Sequence, residues 1–370
     1  MTAFVESCVG TVAGSAVAVE RSARGRPRAA KLLKLLADKK NILVTSHLHP
    51  DPDALASASA LCVLLEQRLK GATVSMSIKG RIGGGINEVF VRQANLNLIP
   101  WDEASLKNFD AIILLDTQPA FPFSPLPPDV TAFGVIDHHR SRFPNPHCRF
   151  CDIRTDVGAT SSIIFSYFME LEVPIKPDLA ATLLYAIESD LAGAAGTPGE
   201  LDNIALSSLT LLADPRKLYQ MRYADLPQSY YVNFSEGLLN ATFFDHVIVS
   251  HLDKIDSLER PAVVADFLLR FDKVDWALVT AVTDGKLILS LRTRSGSKMS
   301  AADLAKRLMR KIGEGGGHRT KAGGFIKLDT DSPAEVERWR EVLRRRLLRA
   351  LLIKGARPQR LVNRAEITPP

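Results

Sequence analysis

The feature that most constrains this chain is a set of short apolar runs, each bounded by Gly, Asp or Pro and alternating with stretches of helical composition. Asn41–Ser46 is β-branched and apolar and breaks at once into polar residues, after which Ala54–Leu69 has the length and composition of a helix. Thr73–Ile78, Ala111–Leu115 and Ala132–Ile136 are further runs of the same kind. Nearly continuous hydrophobic strands separated by helices predict a parallel sheet with helices on both faces, and such a sheet collects functional side chains at the carboxyl ends of its strands. Helices are expected at Ala159–Glu172 and Leu179–Glu188, and a helical stretch at Leu201–Tyr223, interrupted near Pro215, continues as a connector to Asn240. The pattern then changes. Val247–His251, Trp276–Thr283 and Leu287–Arg292 read as strands, with Asp284–Gly285 as a hairpin turn. A chain of 370 residues thus divides into an α/β domain and a smaller mixed α/β domain from about residue 242 to 353.

Charge narrows the function. The formal net charge of +6 conceals a basic 338–360 segment at +8 and a basic 21–40 segment at +7, leaving 30 basic and 39 acidic residues elsewhere. A uniform nucleic-acid-binding coat is therefore unsupported, and a carboxylate-rich centre able to hold cations is worth seeking. Arg338–Arg360 reads as an amphipathic helix and tail, with Trp339, Leu343, Leu347 and Leu351 along its apolar stripe. Cys8, Cys62, Cys148 and Cys151 are too few and scattered for a disulfide framework, and the Cys148–Cys151 CxxC lacks the second pair of a zinc ribbon. No run reaches the roughly 18–20 apolar residues of a membrane span. The apolar stretch Val9–Val19 lies between Glu6 and Glu20 rather than behind a basic leader, so the cytoplasm is the expected compartment.

Four clusters of carboxylates and imidazoles are expected at strand ends: His47-Leu48-His49-Pro50-Asp51-Pro52-Asp53, Asp116-Thr117, Asp137-His138-His139, and Glu188-Ser189-Asp190. An isolated Asp in such a place is commonly a turn or helix cap. Four on one sheet with one polarity would converge on a single rim. The tandem His138-His139 has no evident packing purpose, and Pro50 and Pro52 stiffen the loop that carries three potential ligands. Hard carboxylates with neutral imidazoles suit Mn²⁺ or Mg²⁺, and a shared carboxylate lets two ions sit roughly 3.5–4 Å apart.

These motifs resemble those of the DHH phosphoesterases, a family named for its third motif, here Asp137-His138-His139. Its first motif matches at His47, Asp51 and Asp53, its second at Asp116 and its fourth at Asp190. Gly315-Gly316-Gly317-His318 with Ala322-Gly323 is similar to the glycine-rich signature of the DHH-associated domain found in many members. The resemblance covers roughly residues 40–330 and implies an extension at 1–35, a DHH domain at 36–200, a helical connector at 201–241, a DHH-associated domain at 242–353 and a tail at 354–370. By the family pattern His47, Asp51 and Asp116 hold one Mn²⁺ ion, while Asp53, Asp116, His138 and Asp190 hold the other, with Mg²⁺ or Co²⁺ as substitutes. His139 would contact the phosphate or protonate the leaving group, and Asp137 would orient an imidazole. His49 competes with His47, but the family spacing favours His47.

Substrate binding is expected from Gly315, Gly316, Gly317, His318 and Arg319, with Arg292, Arg294 and Lys321 nearby, as an anion clamp facing the metals. Lys321 replaces the small residue usual after the glycine signature, and Leu191-Ala192-Gly193 replaces the usual Thr-Gly after the fourth motif. Gly80–Gly85 lacks the Lys-Ser/Thr of a P-loop and reads as a loop, with Arg81 as a rim contact. Gly158–Ser162 reads as a small-residue helix start serving close packing. The resemblance implies two-metal hydrolysis of short oligonucleotides or of 3′-phosphoadenosine 5′-phosphate, by a soluble enzyme acting alone or as a homodimer. Rival readings are an inorganic polyphosphate or pyrophosphate hydrolase, a cyclic-dinucleotide phosphodiesterase, and a non-catalytic nucleotide-binding regulator. Phe325 is the candidate for stacking a base.

Overall fold

The computed structural model describes residues 27–48, 50–80, 82, 86–141, 147–191, 198–255, 257–294, 296–317, 319–330 and 332–363. The expectations for His49, Arg81, Gly83–Gly85, Ala192-Gly193, His318 and the first 26 residues fall outside these. The described residues form two compact units, one spanning 27–191 and 198–224, the other 225–363.

The first unit is built on a five-stranded, all-parallel sheet in the order β2-β1-β3-β4-β5. Its strands are β1 (Asn41–Ser46), β2 (Thr73–Met76), β3 (Ala111–Leu115), β4 (Gly134–Asp137) and β5 (Phe150–Ile153). Helices α1 (Arg28–Leu36), α2 (Pro52–Arg68), α3 (Ile86–Ala94), α4 (Thr160–Glu170), α5 (Pro177–Leu191), α6 (Glu200–Leu212) and α7 (Pro215–Arg222) complete it. Ile42, Val44, Ile113, Leu115 and Ile136 meet Leu55, Leu61, Ile163, Leu183 and Ile187 in one core. On the opposite face Leu43 and Ile112 pack under Leu106 of a 3₁₀ turn, with Trp101 and Val130 alongside. Every residue of β3 is buried, which explains why its sequence runs apolar without alternation.

Strand order reverses at β1, which has β2 on one side and β3 on the other. A crevice at the carboxyl ends of strands flanking such a switch point is where open α/β sheets bind ligands. His47 follows β1, Asp116 follows β3, and Asp137 closes β4.

The second unit has a seven-stranded mixed sheet in the order β10-β11-β9-β8-β7-β6-β12. Its elements are α8 (Gln228–Asn240), β6 (Thr242–Phe244), β7 (Val247–Lys254), α9 (Arg260–Leu268), β8 (Trp276–Thr283), β9 (Lys286–Thr293), α10 (Ala301–Met309), β10 (Glu314–Gly317), β11 (Lys321–Lys327), α11 (Pro333–Ala350) and β12 (Gln359–Arg360). One face buries Val249, Leu278, Leu289 and Leu291 against Leu304, Leu308, Leu343 and Leu347 of α10 and α11. The other packs Ile248, Ala277, Val279 and Ala281 against Val264 and Leu268 of α9. Asp284 and Gly285 take positive φ values of 48° and 66°, as the hairpin between β8 and β9 requires.

The glycine run is built into the sheet. Gly315 and Gly316 are not a loop but part of strand β10, paired antiparallel with Gly324 and Gly323 of β11. Bare backbone is needed here because a Cβ on Gly315 would lie 2.9 Å from Met309 Cγ, and one on Gly324 only 2.6 Å from the Glu314 carbonyl. Gly317 alone in the run has a strongly positive φ, 148°, and a Cβ there would meet Ala322 Cα at 2.5 Å.

Candidate metal centre

Asp51 and Asp53 enter the site on the first turn of α2. Pro52 opens the helix, and Asp51 caps it by accepting from the Ala54 amide at 3.0 Å. Asp51 is therefore both the helix cap that a bland reading expects and part of the cluster. Asp53, 1% exposed, accepts the Thr160 and Ser161 amides of α4 at 2.7 and 2.8 Å. Its charge meets the positive end of that helix.

Asp116 stands at the centre with φ of 57°, a left-handed backbone in which Asp is tolerated far better than branched residues. His47 Nε2 lies 3.5 Å from its Oδ2 and His138 Nε2 3.3 Å from its Oδ1. Thr160 Oγ1 donates to Oδ1 at 2.8 Å. The two imidazoles are aimed by the same device: His47 Nδ1 donates to the Leu48 carbonyl at 2.8 Å and His138 Nδ1 to the Val157 carbonyl at 3.3 Å, so each turns Nε2 toward the carboxylates. His138 Nε2 is also 3.6 Å from Asp190 Oδ2.

Donor atoms of His47, Asp51 and Asp116 all lie within 4.8 Å of one another, as do those of Asp53, His138 and Asp190, and those of Asp116, His138 and His139. The fold thus gathers His47, Asp51, Asp53, Asp116, His138, His139 and Asp190 at one rim. One expectation needs correction. Asp190 does not follow a strand but sits in the last turn of α5, and its carboxylate reaches the rim from the helix side.

His139 is held differently. Its Nδ1 lies 2.6 Å from Asp137 Oδ1, which also accepts the His138 amide at 2.9 Å. Gln118 Nε2 donates to Asp137 Oδ2 at 2.7 Å and to the His139 carbonyl at 3.0 Å. Asp137 is completely buried and Gln118 is 2% exposed, so this pair fixes the orientation of the His139 ring. Sequence reasoning missed Gln118 and took Gly158–Ser162 for packing only. Thr160 and Ser161 instead hold two of the carboxylates directly. The small-residue helix start was the available signal, since exposed α-helical N–H groups seek anions.

The electrostatics are those of a crowded anionic site. Burial lowers the pKa of His47, but the hydrogen bond with Asp116 and the charge of Asp51 overcome it and hold the value at about 9. Burial likewise opposes charge on His138 and His139, yet Asp116 and its neighbours raise both above the ordinary histidine range. Burial would raise Asp116, but hydrogen bonding to His138 and the charge of His139 carry it well below the usual carboxylate range. Asp53 moves the other way, raised by burial and by the charges of Asp116 and Asp190.

In the second unit, Arg292 is on β9 and paired through Nε with Asp266 at 2.7 Å, while Nη1 donates to Ser290 Oγ at 2.8 Å. Gly316 faces open space, and Arg319 is exposed. Phe325 is half-buried, with Lys286 Nζ 4.9 Å from its ring centroid. Arg294 donates to the Phe271 carbonyl at 2.8 Å and so braces the domain locally.

Fold and site together define a class: a parallel α/β domain with an aspartate–histidine centre at the carboxyl edge of its sheet. Residues 41–187 match the family described as DHH family, N-terminal domain. An uncharacterized protein of Methanocaldococcus jannaschii is 27% identical over 338 residues, covering 89% of this chain and 68% of that protein. A probable manganese-dependent inorganic pyrophosphatase of Streptococcus agalactiae is 29% identical over 152 residues, 40% of this chain and 48% of its own length. The chain therefore aligns with about half of that pyrophosphatase. The crystal structure of an exopolyphosphatase-related protein from Bacteroides fragilis has the same fold, with a TM-score of 0.68 at 17% identity over 88% of this chain and 98% of that one. Among the described residues, no helix is long and apolar enough to cross a membrane.

Proposed function

We propose that the protein is a divalent-metal-dependent hydrolase of phosphate esters, acting on short oligonucleotides or small phosphorylated nucleotides. The observation that carries this reading is the pair of donor sets, His47/Asp51/Asp116 and Asp53/His138/Asp190, with the Asp116 carboxylate facing both His47 and His138. Hard oxygens and Nε2-presenting imidazoles fit two Mn²⁺ ions, with Mg²⁺ or Co²⁺ able to replace them. When bound, such ions supply a nucleophilic hydroxide near neutral pH and neutralise phosphoryl oxygens. The chain supplies the rest. His139, oriented by Asp137, faces the same centre and protonates the leaving oxygen or holds the phosphate. Asp53 stays fixed by two amides of α4 while it serves as a ligand.

Nucleotide preference is supported by the sheet surface of the second unit. Gly316 leaves backbone accessible, the exposed Arg319 provides positive charge, and Phe325 offers a ring for base stacking, with Arg292 on the same sheet already paired to Asp266. A second reading, hydrolysis of pyrophosphate or polyphosphate, is favoured by the similarity of the first unit to manganese-dependent pyrophosphatases. Turnover with added Mn²⁺ on a dinucleotide, 3′-phosphoadenosine 5′-phosphate, a cyclic dinucleotide and pyrophosphate, measured side by side, separates these. Faster turnover of either of the first two supports the proposal, and faster turnover of pyrophosphate replaces it with the second reading. Stoichiometric Mn²⁺ with no turnover on any of the four would overturn the proposal in favour of the non-catalytic reading.

A further inference from the structure

We infer that Asp202, outside the proposed ligand set, is a positioning residue for the ion held by Asp53, His138 and Asp190; this rests on the two-ion reading above. Asp202 lies in the first turn of α6 and is completely buried. Its Oδ2 accepts two amides, Gly158 N at 2.7 Å and Gly199 N at 2.8 Å. The Gly158 N–H belongs to the same peptide group as the Val157 carbonyl, and that carbonyl accepts His138 Nδ1 at 3.3 Å. One rigid peptide plane thus links a buried carboxylate to a ligand imidazole. Its N–H donates to Asp202 while its C=O accepts from His138, and each bond polarises the other. The arrangement extends the familiar carboxylate–histidine–metal relay by one peptide.

The same segment serves the other two ligands of that set. The Thr160 and Ser161 amides hold Asp53. Gly158 runs so close to Leu191, the neighbour of Asp190, that a Cβ on Gly158 would lie 2.4 Å from Leu191 Cδ2 and 3.1 Å from Asp202 Oδ2. Among the described residues Asp202 bonds to the Gly158 and Gly199 amides and not to His47 or Asp51, so its influence should fall on one ion of the two.

The test is Mn²⁺ titration of the full chain by calorimetry, comparing wild type with Asp202→Ala, Asp202→Asn and Gly158→Ala. Asp202→Ala should weaken one ion by about 10–100-fold and leave the other within about threefold. Asp202→Asn keeps an oxygen where Oδ2 accepts both amides and should restore binding to within about fivefold of wild type. Gly158→Ala pushes the same peptide away and should reproduce the loss of one ion, which decides the matter if Asp202→Ala does not fold. Wild-type affinities in Asp202→Ala or Gly158→Ala, equal weakening of both ions, or an Asp202→Asn as impaired as Asp202→Ala would each overturn the inference. A wild-type chain that binds fewer than two ions would instead refute the two-ion reading itself.

Discussion

Raising the pH should loosen the metal-free protein and tighten its grip on metal, and His47 sets the size of both effects. With its pKa held at about 9, only about one molecule in a hundred carries a neutral His47 at pH 7. Displacing that proton costs an incoming ion about 2.7 kcal/mol at pH 7, and the cost falls by about 1.4 kcal/mol per pH unit. Affinity at the site containing His47, Asp51 and Asp116 should therefore rise about tenfold per unit, or about 30-fold from pH 6.5 to 8. The stability of the metal-free chain runs oppositely. A histidine raised from 6.5 to about 9 contributes fully below its unfolded pKa and loses that contribution as pH climbs through 9, a span of about 3 kcal/mol. His138, His139 and Asp53 are raised too and add to the same trend, whereas Asp116, lowered, contributes above the ordinary carboxylate pKa and loses its contribution only on acidification. Mn²⁺ calorimetry in two buffers of different ionisation heat counts the released protons, and urea unfolding of chelator-treated protein follows stability. Metal affinity flat across this range, with no proton released at pH 7, would refute the argument.

Other outcomes follow from individual contacts. Asp116→Asn should reduce hydrolysis by at least about 1,000-fold and lower bound Mn²⁺ below two per chain by elemental analysis, since the carboxylate that faces both His47 and His138 loses its charge. Thr160→Val removes the hydroxyl that bonds Asp116 Oδ1 and should cost about 1–2 kcal/mol in chemical denaturation, with a loss of turnover. Gly317→Ala, forced against Ala322 at a φ of 148°, should destabilise the chain by more than about 2 kcal/mol. Gly316→Ala meets nothing within 4 Å and should leave stability within about 0.5 kcal/mol, while raising KM if substrate approaches that backbone.

The parts of the molecule that were legible in its sequence are those in which a local pattern coincides with a global role. β1, β3 and β4 announce themselves because burial on both faces demands unbroken apolar runs, and the residues that end them are conspicuous by contrast. Asp190 was placed after a strand because its chemistry was clear while its element was not; the helix α5 carries it. β10 and β11 escaped notice since glycine has no side chain through which alternation can register. β5 and helices α3, α9 and α10 are short and were likewise passed over. Gln118, Thr160 and Asp202 act through partners 19 to 44 residues away, and no periodicity reports a contact of that range.

The left-handed backbone at Asp116 has a consequence for how freely this position can vary. Two unrelated filters operate on it. Backbone geometry admits glycine, asparagine and aspartate with little penalty and charges most other residues about 1–2 kcal/mol. Charge admits aspartate and glutamate. Aspartate is the residue type common to both sets, so a random substitution fails at least one filter, and an alanine replacement fails both at once. Comparing Asn, Glu and Ala at position 116 would separate what the turn requires from what the ions require.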